Sequence, residues 1–241
     1  MNKVILSLSL LACSTGAWAD LSYQEELRLE CAKVKNYAAS GKKIYDQQQY
    51  QKAINAFKQQ AAWAAFCQFN HEESGVSFSP QAISTAFNNV GLSYAKLGQN
   101  GWARAWFSVF PDMKSSQFNL KQLPVPKPST NLVGEYVSYA GFGAWNTITV
   151  KQQKNAYYIE FNGLYMGPRS LIYGPNMGEF ETHMPRQSKR ALYRLEDCKI
   201  ELKFGFDVKQ GQYIQVDETK NTHCGFGHNV SSSGVYLRVM N

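Results

Sequence analysis

The sequence predicts an α+β fold of two domains, a helical N-terminal half joined to a C-terminal antiparallel β-barrel of about eight strands. Three observations carry this. Apolar residues recur at spacings of three and four up to about Phe110 and at spacings of two from Leu132 onward. Prolines at 124, 126 and 128 stand where the period changes. Four of the five cysteines form two pairs, each centred on an expected turn.

Residues 1–19 read as a bacterial secretory signal. Lys3 supplies the positive charge, Val4 to Ala12 a short apolar run, and Ala17-Trp18-Ala19 the cleavage site before Asp20. A competing reading takes Leu10-Leu11-Ala12-Cys13 as a lipobox, with the chain anchored by lipid at Cys13. Cleavage after Ala19 removes Cys13 and leaves Cys31, Cys67, Cys198 and Cys224, an even set for disulfides in an oxidising compartment. No later segment approaches the roughly 20 apolar residues that a membrane crossing needs. The expected address is therefore the periplasm, with the mature chain in solution.

Residues 20–123 are rich in Ala, Gln, Leu and Lys and are expected to form amphipathic helices. Cys31 and Cys67 are equidistant from position 49, inside Gln47-Gln48-Gln49-Tyr50, so a helical hairpin would bring them together. Residues 124–130 form the stiff linker. Residues 131–241 carry candidate strands at 132–139, 145–151, 156–161, 170–173, 179–184, 191–196, 199–206, 212–217 and 234–239. Cys198 and Cys224 are equidistant from Gly211, which points to a second local bridge.

Lys and Arg number 25 against 18 Asp and Glu, a net charge of +7. The excess is even: 11 against 8 in residues 20–123 and 13 against 10 in 124–241, with no dense basic run. Together with export, this argues against a nucleic-acid partner.

Two helical stretches are self-similar. Gly41, Ala53 and Phe57 stand in the same register as Gly91, Ala103 and Phe107, and the second copy adds Tyr94 and Gly98. That register resembles the tetratricopeptide repeat, although the glycines are 50 residues apart against a family period of about 34. The surplus is assigned to an inserted loop from Gln68 to Ser84. The resemblance implies a concave groove lined by Lys35, Lys42, Tyr45, Asn88 and Leu92, while the family's two-lysine, two-asparagine clamp is not reproduced. In the second half, Gly134-Glu135-Tyr136, the Cys198–Cys224 pair before Gly225-Phe226-Gly227, and Gly234-Val235-Tyr236 resemble small calycin-like barrels, among them bacterial periplasmic lysozyme inhibitors. Ser233-Gly234-Val235-Tyr236 approximates one inhibitor motif, and its lysine-containing partner motif is absent.

His223, Cys224 and His228 have the composition of a metal or thiol site, but a bridged Cys224 offers no thiolate. Glu179 and Glu181 are spaced to share a strand face, as a solvated strand also requires. No hydrolase, zincin or phosphate-loop motif occurs. No catalytic residue, metal or cofactor is expected, and the chain is expected not to be an enzyme. The segments expected to meet a partner are Gly141-Phe142-Gly143-Ala144-Trp145, where Phe142 and Trp145 are either interface anchors or core, and the basic loop holding His183, Arg186, Lys189 and Arg190. The expected partner is a protein, foremost a toxic envelope enzyme such as a peptidoglycan hydrolase, which the chain would inhibit. The alternatives are an envelope-assembly scaffold using the helical groove and a barrel holding a small apolar ligand.

Overall fold

The computed structural model describes residues 21–219 and 224–240. The predicted signal, Cys13 and His223 lie outside the described residues.

The helical half begins with α1 (Tyr23–Asp46), started by a capping box in which Ser22 accepts from the Glu25 N–H and the Glu25 carboxylate accepts from the Ser22 N–H. Helix α2 (Tyr50–Phe69) returns against it. A single turn, α3 (His71–Ser74), leads to α4 (Pro80–Lys96), which pairs with α5 (Asn100–Phe107). The expected inserted loop is therefore smaller than 68–84. Helix α2 runs on to Phe69, and Pro80 opens α4 from its first position, where the missing N–H costs nothing, behind the Ser79 cap.

The two hairpins repeat the same construction. Gly41 lies flat against the Phe57 ring and Gly91 against the Phe107 ring, and a Cβ at either glycine would overlap that ring. Their turns match as well. Gln48 (φ 60°) and Gly98 (φ 73°) are both left-handed, and the next residue's N–H reaches back to a helix carbonyl, Gln49 to Ile44 at 3.2 Å and Gln99 to Tyr94 at 3.0 Å. A further helix, α6 (Lys114–Gln122), not foreseen from the sequence, lies across α4 and α5.

The second half is one antiparallel sheet in the order β4-β3-β2-β1-β8-β7-β6-β5, curled into a nearly closed barrel. Its strands are β1 (Gly134–Gly141), β2 (Ala144–Gln153), β3 (Ala156–Tyr165), β4 (Asn176–Pro185), β5 (Arg190–Leu195), β6 (Cys198–Asp207), β7 (Gly211–Glu218) and β8 (Gly234–Met240). The expected strand at 170–173 is instead a helical turn, α7 (Ser170–Tyr173). A four-residue apolar run carries no decisive period, and Leu171 and Ile172 pack on the helical core rather than in the sheet. Edge strands β4 and β5 meet through the Thr182 hydroxyl, which donates to the Leu192 carbonyl at 2.9 Å, and through Phe180 stacked on Tyr193 at 4.8 Å.

Side chains fill the barrel, with Tyr136, Ile148, Ile159, Phe161, Met184 and Tyr236 all fully buried. Strands β1 and β8 start with the same device. Gly134 (φ 145°) and Gly234 (φ 143°) each precede by two residues a core tyrosine whose hydroxyl donates to a carbonyl four residues back, Tyr136 to Leu132 at 3.0 Å and Tyr236 to Ser232 at 2.9 Å. Burial pushes the Tyr136 phenol up to about 12. The two residue triplets that carried the barrel resemblance thus hold the ends of the barrel core.

Both disulfides are local, Cys31–Cys67 between α1 and α2 and Cys198–Cys224 within the barrel half. The second is not the expected cross-strand pair. Strand β7 ends at Glu218, opposite Ile200, so Cys224 lies beyond the hairpin. The bridge pins the segment between β7 and β8, whose Phe226 covers one end of the barrel against Phe161 and Phe180.

Candidate functional site

The halves are not held by the linker alone. The β1–β2 turn inserts Phe142 against Phe66 at 5.0 Å and Phe69 at 5.6 Å, while Trp145 meets Trp102 at 5.9 Å and Trp106 at 5.3 Å. Of the two fates open to Phe142 and Trp145, the structure places both in the seam between the halves, where they join the helical core. Helix α5 runs along the outer face of β1 and β8 so closely that a Cβ at Gly101 would strike the Val239 backbone. On the other flank, the Tyr23 hydroxyl and the Asn70 amide both donate to the Pro168 carbonyl at 3.0 Å.

The expected groove residues divide. Lys35 and Lys42 are exposed on α1, Lys42 bonded to Asp46 at 2.6 Å, and Tyr45 is half-buried against Tyr50 and Phe57. Asn88 is a correction, since only 4% of it is exposed. Its amide donates to Ser84 and Ser116, and its oxygen accepts from Asn119 at 3.0 Å. Helix α6, polar enough to escape a periodicity search, covers this face of the second hairpin.

His183 lies on the outer face of β4, 3.0 Å from the Gln153 amide and with its ring 5.4 Å from that of Tyr158. Glu181 stands opposite Glu160 on β3, and Glu179 opposite Asn162. A hydrogen bond to Glu181 raises the Tyr158 phenol to about 12. His228 is exposed on the segment before β8, and its backbone carbonyl accepts from Asn176 at 2.8 Å. Among the described residues, no three His, Cys, Asp or Glu side chains form a metal-binding group, and no helix is long and apolar enough to cross a membrane. The two disulfides fit a location outside the cytoplasm.

The basic loop lies at the opposite end of the barrel from the Cys198–Cys224 bridge. Arg186 and Lys189 are exposed and line a cleft of about 390 Å³, whose floor includes Phe204 and Phe206 and whose far wall is the linker from Pro128 to Thr130. The loop's backbone is fixed, since the Arg186 N–H donates to Asn155 and the Lys189 carbonyl accepts from the Phe204 N–H at 2.9 Å. Arg190 leans towards Glu201 at 3.9 Å, whereas among the described residues neither Arg186 nor Lys189 has an ion-pair partner.

Next to it lies a larger cleft of about 610 Å³ between the α4–α5 turn, the linker, the β6–β7 turn and the end of β8. Arg104 builds its floor. Buried on α5, its guanidinium donates to the Lys209 and Pro124 carbonyls, both at 2.8 Å, and so ties the helical half to the linker and the barrel. Burial lowers its pKa. Arg238 donates to the Asn131 and Val133 carbonyls and to the Gln212 side chain. Sequence reading missed Arg104, Lys127 and Arg238, because only the fold brings them beside the loop.

No family model, curated protein or solved structure matches the chain.

Proposed function

We propose that this chain is an exported periplasmic protein-binding module, not an enzyme, which neutralises an envelope-acting enzyme of the cell-wall hydrolase type. One observation carries the reading. Arg186 and Lys189 stand exposed on a backbone-anchored loop, without a carboxylate partner among the described residues, at the rim of a cleft with an aromatic floor. Hydrolases that cleave glycosidic bonds keep paired carboxylates in their active sites. An arginine fork offered on a fixed loop pairs with such a carboxylate bidentately, in a charge-assisted contact about twice as strong as a neutral one. The leader-like first 19 residues and the two disulfides support the export part of this reading.

The rival readings have less behind them. Helix α6 covers Asn88, one of the residues expected to line the helical groove that a scaffold would use. The barrel interior that an apolar ligand would occupy is filled by Tyr136, Phe161, Met184 and Tyr236.

The test is capture of secreted hydrolases by the mature protein, followed by titration of their activity. Stoichiometric inhibition is expected, and Arg186→Glu should abolish it. A captured hydrolase that remains fully active at saturating protein would remove the inhibitor reading.

A further inference from the structure

The two clefts share Pro128, Ser129 and Gln212, and the Gln212 amide donates to the Ser129 carbonyl at 2.8 Å, so they adjoin across this bridge as two compartments of a groove from the α4–α5 turn to the β4–β5 loop. Among the described residues five cations line it, Arg104, Lys127, Arg186, Lys189 and Arg238, and no Asp or Glu does. The chain as a whole has 18 acidic residues to 25 basic ones, so a lining this one-sided is a local feature. None of the five is in an ion pair among the described residues. Arg104 and Arg238 donate only to neutral oxygens, and the Arg238 Nε is buried with no acceptor. The positive potential of the groove is therefore uncompensated from within the described residues, and it favours an anionic occupant.

We propose that this groove takes an extended acidic peptide segment of the partner protein, lying across Pro128 and Ser129 with an apolar residue against Phe204 and Phe206. The larger cleft is lined by amide side chains, Gln99, Asn100, Asn131, Gln210 and Gln212, which match the donors and acceptors of an extended backbone. Among the described residues no aromatic ring lines it, so it lacks the stacking platform by which single-stranded nucleic acid is held and on which a sugar ring would rest. The Pro-rich wall is itself extended and stiff, preformed for a second extended chain. This deepens the proposed function in that it rests on the partner being a protein, and it assigns a second contact beyond the loop.

The probe is a fluorescein-labelled peptide alternating glutamate and glycine and ending in phenylalanine, titrated by anisotropy with the mature protein. Saturable binding is expected that weakens as salt rises, that falls at least about tenfold in Lys127→Glu/Arg186→Glu, and that is unchanged in Lys43→Glu/Lys52→Glu on the helical hairpin. The neutral pair Lys127→Ala/Arg186→Ala should fall between. Absence of binding, equal affinity in the two charge-reversed proteins, or preferential capture of polygalacturonate over the peptide overturns the proposal. Peptide binding without inhibition of any hydrolase supports the groove and removes only the inhibitor reading. Hydrolase inhibition without peptide binding does the reverse.

Discussion

The first helical hairpin, α1 with α2, and the second, α4 with α5, share a glycine-on-phenylalanine contact and a left-handed turn, yet they are stabilised differently. The second is enclosed. Helix α6 covers one face, α2 packs against α4, and the barrel lies along α5. The first hairpin ends the stack, meets the barrel half through Phe142 and the Pro168 carbonyl, and carries the Cys31–Cys67 bridge in addition. The lesson is that a repeated unit needs support beyond its twin, from neighbours or a covalent tie, because two hairpins bury less than a self-supporting stack requires.

The comparison can be broken most strongly at the disulfide. Cys31→Ala/Cys67→Ala should lower the unfolding free energy by about 3–4 kcal/mol, with amide exchange protection lost in α1 before α4; simultaneous loss in both hairpins would mean that the bridge supports the whole stack. Next come the glycines. Gly91→Ala and Gly41→Ala should each cost about 1–3 kcal/mol by overpacking. Gly91 should be the costlier, because Phe107 lies on the helix that meets the barrel while the buried Phe57 packs against the half-buried Tyr45, which has room to shift. Urea denaturation of the two variants ranks them, and a larger loss at Gly41 would contradict the enclosure argument.

Asn88→Ala should cost about 1–2 kcal/mol by orphaning its buried partners, and limited proteolysis should then release α6 while the first hairpin stays protected. The smallest effect is a gain. Gln48→Gly should raise stability by about 0.5 kcal/mol by relieving a left-handed residue, whereas Gly98→Gln, its mirror in the second turn, should lower it. Paired melting curves read both signs.

What was legible followed from short-range regularity. Gly41, Phe57, Gly91 and Phe107 announce both hairpins because each contact lies 16 positions along the chain, and Cys31 and Cys67 meet across their turn as the spacing expects, whereas Cys198 and Cys224 pair without facing each other across the β6–β7 hairpin. Helix α6 was hidden because its buried face is made by Ser116 bonding to Asn88 rather than by an apolar stripe. The segment 170–173 was misread because it docks on the other half. The groove was illegible for a stronger reason. Arg104, Lys127, Arg186, Lys189 and Arg238 come from a helix, the linker, a loop and a strand, and evenly spread charge in sequence says nothing about where folding gathers it.

The barrel is sewn by backbone hydrogen bonds everywhere among its described neighbours except between β4 and β5. The hoop therefore has one unlaced edge, and the loop with Arg186 and Lys189 bridges it. A ring of this kind opens locally with least loss where no ladder must break. That edge is held instead by the loop's backbone bonds to Asn155 and Phe204 and by the Thr182 bond to Leu192, while the other seven strand-to-strand junctions are laced by ladders.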